Sequence, residues 1–401
     1  MNSALDGIKV IEYGGPISVP YCGKMLADLG AEVIKIEKPG TGDSSRRMGP
    51  FPDDEVDTEH SGFFLYLNTN KYGVTLDIEK PDGRKIFKEL IKGANVFIEG
   101  TKSRQLAETG LDYPDLKKVN PSLVMTSITP FGQTGPYKNY NGSDLTAWHM
   151  GGVGILTPRL VGTEKQEPLR VLHIASFISG MTAAAATMCA IRVQEHNGTG
   201  QRVDVSEFEA IATATRIYLA FWAYEHRNVT RVTPTQYAPQ NFIKCKDGWI
   251  FIQGVEEHHW KRIVECMGNP EWANEEAFKD RYNRAHNWYK LEPLLTKWAM
   301  SHTKAEIAEM GNSKGIPMGP VHSMEEVLGN DHLKARDFFK VVESASAGKI
   351  LQPGAPYNFT KTPWAIRKPA PTPGQDNKEI FCTRLGHSTE ELVSLHMNGV
   401  V

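Results

Sequence analysis

Cysteine is scarce and scattered in this sequence. There are five, Cys22, Cys189, Cys245, Cys266 and Cys382, an odd number with no close pair. That distribution excludes a disulfide framework and provides no metal-ligand spacing, so no metal site is expected; reduced thiols suit a cytoplasmic chain. Long apolar runs are missing too: no stretch of about 18 consecutive apolar residues occurs, and no membrane span is expected. The opening, MNSALDGIKVIEY, lacks the basic segment and apolar run of a secretory signal. The net charge is only -2 and the pI about 6.7, which gives no broad attraction for nucleic acid or an anionic membrane. Neither a Walker loop, HExxH, paired CxxC nor GxGxxG is present. The adjacent His258 and His259 lie about 100° apart around a helix and do not suit one metal ion.

What is present alternates between two periods. Ile8–Tyr13 and Glu32–Glu37 read as short buried strands around a helical stretch, Pro20–Leu29, closed by Gly30. Two strands joined through a helix imply a parallel pair with a right-handed crossover. The pattern recurs with a strand at Val74–Ile78, a helix at Pro81–Gly93, and strands at Asn95–Glu99 and Leu123–Ile128. An alanine-rich helix is predicted from Gly180 to His196, then a strand at Val203–Ser206 and a helix to about Tyr224. After Pro234 the character changes to a hairpin with an Asp247-Gly248 turn, followed by charged amphipathic helices as far as Val321. The tail from Gly348 holds short strands and a proline-rich stretch, Pro363–Pro373, of the kind that straps over another surface. The fold class is α/β, with a smaller α+β unit from about Pro234 to Val321.

Several loops at strand ends are candidate ligand sites. Gly14-Gly15-Pro16 follows the first strand, where small residues admit a close approach, although on local grounds a plain strand-to-helix turn is the better reading. Lys38 to Arg47, a basic glycine-rich stretch after the second strand, suits a nucleotide phosphate or a solvated surface loop. Lys71 after Asn68-Thr69-Asn70 has the same ambiguity.

An ordered set of segments resembles one family. Leu5-Asp6-Gly7-Ile8-Lys9-Val10 is similar to the opening of class III CoA-transferases, and Leu29 to Glu37 to their second-strand signature. Gly42-Asp43-Ser44-Ser45-Arg46, Asn70-Lys71, Phe131 to Pro136, Gly198 to Ser206 and Gly315 to Val321 follow in the family's order. The resemblance implies a Rossmann-like large domain built from both chain ends (1–225 and 326–401), a smaller inserted α+β domain (226–325), and two subunits threaded like interlocked rings. It also implies transfer of CoA from an acyl-CoA to a carboxylic acid, with the CoA thioester as substrate and no covalently bound cofactor. Carried over by position, the CoA-binding candidates are Pro16, Ile17, Ser18, Lys38, Arg46, Lys71, Leu76, Gly100, Thr101 and Asn141. Two departures stand out: Glu99-Gly100-Thr101 replaces the family's Glu-Asn-Phe, and Asn141 stands where a basic residue is frequent.

The family's nucleophile is an aspartate four residues before a helix-opening glycine. The matching glycine here is Gly180, which puts Ser176 in the aspartate's place; the nearest upstream carboxylate is Glu167. In the family reaction the carboxylate attacks the thioester and expels CoA thiolate as a mixed anhydride forms. The thiolate then attacks the carboxylate's own carbonyl. A serine hydroxyl can form an ester but has no carbonyl to carry CoA. Losing that route costs about 5 kcal/mol or more of barrier. Related racemases use a histidine at the position of Ser143 together with the same aspartate, so two-face proton transfer is lost as well. The resemblance therefore implies a chain inactive by itself, paired with a paralogous subunit that supplies the aspartate. By analogy within the family, succinyl-CoA is the candidate donor and (R)-benzylsuccinate the candidate acceptor. An active homodimer using other groups and a CoA-ester-binding protein without catalysis are the alternatives.

Overall fold

The computed structural model describes residues 3–101, 105–157, 169, 171–231 and 237–401; Glu167 and Pro234 lie outside them. Six strands, β1 (Lys9–Tyr13), β2 (Glu32–Glu37), β3 (Lys71–Thr75), β4 (Val96–Glu99), β5 (Val124–Thr129) and β6 (Arg202–Ser206), form one sheet in the order β3-β2-β1-β4-β5-β6. Every pairing is parallel, with Glu12 opposite Lys35 and Tyr13 opposite Glu99. Strands buried on both faces read as nearly continuous apolar runs, which VFIE and VMTSIT illustrate.

Each face of the sheet has its own apolar layer. On one, Val10, Val33, Val96 and Val124 pack with Leu26, Ala183 and Ile191 from the helices Ser18–Asp28 and Ile174–Asn197. On the other, Ile11, Ile34, Phe97 and Met125 pack with Ile86, Phe87 and Leu90 of the helix Pro81–Lys92. Burial of each such side chain contributes roughly 1.5–3 kcal/mol.

A row of charges interrupts the first layer. Glu12, Lys35 and Lys71 are fully buried. Glu12 Oε1 accepts from Lys35 Nζ at 3.0 Å and Oε2 from Lys71 Nζ at 2.8 Å, while Asp43 Oδ2 takes a second bond from Lys35 at 2.6 Å. Buried charges persist only when paired and hydrogen-bonded in this way. The helix Ser18–Asp28 crosses directly above with Gly23, where a methyl group would stand 1.9 Å from Glu12 Oε2.

The helix Ile174–Asn197 departs from expectation twice. It begins before Gly180, so Ser176 lies in its first turn instead of ahead of the helix. It is also long and apolar enough to cross a membrane, with a mean hydropathy of 1.7 over its most apolar window. Ser176, Ser179, Thr182 and Thr187 break up the apolar run in sequence without lowering that average much. Half of the window is buried inside the protein, and the helix packs on β5, β6 and the helix Ser18–Asp28. At Gly180 a methyl group would meet the Ser18 carbonyl at 2.7 Å, so glycine sets this close helix crossing.

The chain divides into two compact units, and residues Met1–Ile155 and Arg336–Val401 belong to the same one. Within it, β10 (Phe339–Ser344) and β11 (Gly348–Pro353) form an antiparallel hairpin. The proline-rich stretch then runs along the outer edge of β3. The Asn70 amide donates to Lys368 O, Arg46 Nη2 to Pro371 O, and Gly73 and Asp376 exchange two bonds.

The other unit includes Arg227–Ala335. There β7 (Gln240–Cys245) and β8 (Gly248–Gln253) form a hairpin and β9 (Met318–Pro320) extends it. The two-residue turn is Lys246-Asp247; Gly248, expected inside the turn, opens the return strand opposite Cys245. Ile243, Ile250, Trp260, Leu291 and Ile307 form its core with the helices Glu257–Cys266, Trp288–Ala299 and Lys304–Lys314.

Candidate active site

The strand order reverses between β1 and β4, and the crevice at the carboxyl ends of those strands is where open parallel sheets bind ligands. The loops following them press together. A methyl group at Gly100 would stand 2.8 Å from Val19 Cγ2 and 3.2 Å from Gly15 Cα, so only glycine fits. Beside this contact opens a cleft of about 410 Å³, lined by Pro16, Ile17 and Ser18 from the first loop and by Gly100 and Thr101 from the second. Asn141, Phe131 and Tyr140 close it from the segment after β5. Thr101 is fixed from behind, its amide and hydroxyl both donating to Glu99 Oε2 at 2.7 and 2.6 Å.

The structure thus gathers six of the ten sequence-derived binding candidates on one wall: Pro16, Ile17, Ser18, Gly100, Thr101 and Asn141. The other four, Lys38, Arg46, Lys71 and Leu76, are not among the residues that line this cleft. Lys71 Nζ is buried and donates to Glu12, to the Pro20 carbonyl and to Asn68 Oδ1. Burial lowers its pKa to about 8 against the opposing pull of Glu12. Arg46 is 2% exposed, forked onto both oxygens of Glu37 and lying over the Phe64 ring at 3.5 Å. Leu76 is a core residue with no exposed surface. Lys38 remains at the surface, paired with Glu79 at 2.6 Å.

Ser176 also lines the cleft, 6% exposed. Its backbone N–H, one of the unpaired donors of a helix start, donates to Asp144 Oδ1 at 2.9 Å. Asp144 opens the helix Asp144–Met150, and Ser143 before it donates its amide to Thr146 Oγ1 at 2.7 Å. Just ahead of Ser176, His173 adopts a left-handed backbone with φ +61° and sets its ring edge-on to Phe63.

Among the cleft residues that escaped the sequence reading, Glu207 is both buried and acidic. Glu207 begins the helix Glu207–Ala212 directly after β6, is 7% exposed and lines the same cavity. Burial holds its carboxyl above the ordinary glutamate range and the nearby Asp144 raises it further, against a hydrogen bond from the Ser18 side chain. The available signal was a charged residue immediately after the strand Val203-Asp204-Val205-Ser206, at the carboxyl edge of a parallel sheet. Among the described residues no group of three or more His, Cys, Asp or Glu side chains is arranged to hold a metal ion.

Comparison with known proteins agrees with this geometry. The family model for CoA-transferase family III matches residues 5–377. The chain is 31% identical to the Thauera aromatica succinyl-CoA:(R)-benzylsuccinate CoA-transferase subunit BbsE, covering 100% of this chain and 99% of that one. It is 29% identical to the Chloroflexus aurantiacus succinyl-CoA–L-malate CoA-transferase beta subunit, covering 99% and 98% of the two chains. Among solved structures, a CAIB/BAIF family protein from Brucella suis superposes with a TM-score of 0.83 at 27% identity, over 96% of this chain and 100% of that one. With the motifs, the sheet order and the cleft all in register, the chain belongs to CoA-transferase family III.

Proposed function

We propose that this chain is the non-catalytic subunit of a two-chain class III CoA-transferase whose paralogous subunit carries the aspartate nucleophile. One observation supports this reading above the rest. The first turn of the helix Ile174–Asn197 faces the cleft with Ser176 in the aspartate's place. A hydroxyl can take an acyl group, but it cannot become the acyl carrier for CoA, so the anhydride exchange has no route through Ser176. The intact cleft distinguishes the chain from a collapsed relic and leaves room for a CoA thioester.

Likeness to a subunit of a benzylsuccinate transferase and to a beta subunit of a malate transferase makes hetero-oligomers the natural setting. On that likeness, succinyl-CoA is the proposed donor and (R)-benzylsuccinate the proposed acceptor. The two chains would interlock as rings in the cytoplasm. Purified alone, the chain is expected to give no transferase turnover with succinyl-CoA and benzylsuccinate; co-expressed with the aspartate-bearing paralogue, it gives turnover. Robust activity of the lone chain overturns the proposal.

A second reading, an active homodimer, draws on the carboxyl groups of Asp144 and Glu207 in the cleft. It requires an acyl or CoA adduct on this chain after exposure to labelled acyl-CoA.

A further inference from the structure

The cleft wall around Ser176 has a chemistry that bears on which thioesters it admits. Asp144 and Glu207 line it, 8% and 7% exposed, on helices that pack against one another. Asp144 accepts from the Ser176 amide, and the Ser18 side chain bonds Glu207, so both carboxyls are fixed within the wall. The basic side chains lining the same space are Lys138, exposed at the rim, and the half-buried His173. Thr129, at the end of β5, adds an independent sign of a ligand. It is 5% exposed and lines the cleft, and among the described residues its Oγ1 meets no hydrogen-bond partner. A buried hydroxyl left in that state is satisfied by something that enters, and the carbonyl and amides of an acyl-pantetheine are of the right kind.

We infer that this cleft is a subsite for CoA thioesters with an uncharged acyl group, and that Glu207 with Asp144 turns away acyl groups ending in a carboxylate. A second negative charge brought beside buried carboxyls meets repulsion at low effective dielectric and loses its own hydration. A methyl end meets only the apolar part of the wall, Ile17, Ile128 and Phe131. The inference rests on the reading of the chain as a CoA-thioester-binding subunit and deepens it. Dicarboxylic thioesters such as succinyl-CoA are left to the cleft of the aspartate-bearing partner.

Butyryl-CoA and succinyl-CoA test this directly, because their acyl groups have the same chain length and differ at the end, methyl against carboxylate. Isothermal titration of the full chain at about pH 8 should find butyryl-CoA at least about tenfold tighter. In Glu207→Gln, which keeps the shape of the side chain, the ratio should shrink to about threefold or less, chiefly through improved succinyl-CoA binding. Equal or tighter succinyl-CoA binding by the unaltered chain, alongside measurable binding of free CoA, overturns the inference and leaves the CoA-binding reading standing. An unchanged ratio in Glu207→Gln overturns the assignment to Glu207. Failure of CoA and both thioesters to bind removes the CoA-binding reading itself, and the inference with it.

Discussion

The Ser176 amide donates to Asp144 Oδ1 at 2.9 Å. The helix Ile174–Asn197 is thus anchored at its start by a carboxylate from another segment, and Ser176 is held by its backbone whatever its side chain does. The side chain is therefore dispensable for architecture, and on the subunit reading for chemistry too. Ser176→Ala in the two-chain enzyme should leave the transferase rate within about twofold. Removing an interaction made only in the transition state instead lowers kcat and kcat/KM together. Peptide mapping after acyl-CoA exposure should find no adduct on Ser176, and an acylated Ser176 would contradict the subunit reading.

Glu12 holds two buried ammonium groups, those of Lys35 and Lys71. Lys35 keeps Asp43 if Glu12 is lost, whereas Lys71 retains only a carbonyl and an amide oxygen. Breaking such a pair leaves an uncompensated charge and costs about 3–5 kcal/mol. Glu12→Gln should lower the urea midpoint accordingly without changing the steepness of the transition.

Glu207 gives a pH dependence with a definite sign. Its carboxyl is held above the ordinary range, first by burial and then by Asp144. The folded state therefore binds this proton more tightly than the unfolded chain. The resulting contribution to stability is present below the unfolded value of about 4.3 and is lost as pH rises through the folded value. Above the folded value the ionised, buried group is a liability. Glu207→Gln should therefore gain stability relative to the unaltered chain as pH rises, with the difference closing towards pH 4. Thermal melts across that range measure it.

Gly100 tests the junction of the two ligand loops. A methyl group there meets Val19 Cγ2 at 2.8 Å and the Gly15 backbone at 3.2 Å. Gly100→Ala should cost about 1–3 kcal/mol through overpacking and should weaken CoA binding as the loops spread. Adding Val19→Ala removes the nearer clash and should recover part of both losses, read by thermal melt and titration. Recovery of stability without affinity would locate the binding defect at Gly15.

Much of this architecture is legible in the sequence because it is local. The runs VIEY, EVIKIE and VFIE announce buried parallel strands, and Pro81 and Gly93 bracket a helix. What stays hidden depends on partners far along the chain. The helix predicted from Gly180 begins at Ile174 because its first turn is capped by Asp144, 32 residues before Ser176. The third strand, predicted from Val74, begins at Lys71; a lysine reads as a loop residue until Glu12, 59 positions earlier, is seen to neutralise it. Arg46 likewise reads as a loop cation in sequence, and its bond to the Pro371 carbonyl, 325 residues away, is hidden there. Among the cleft residues, those supplied by short glycine-rich loops are readable from pattern. Glu207 is not, since only the packing of its helix turns a charge at a helix start into a wall of the cavity.

The segment along β3 also dictates an order of events during synthesis. The Gly73 amide donates to Asp376 Oδ2, on a residue that emerges from the ribosome 303 residues later. Until then the outer edge of the sheet displays unpaired backbone groups, the kind of edge on which foreign strands add. Nascent chains of this protein therefore remain open to wrong pairing at this edge until the segment around Asp376 has been made.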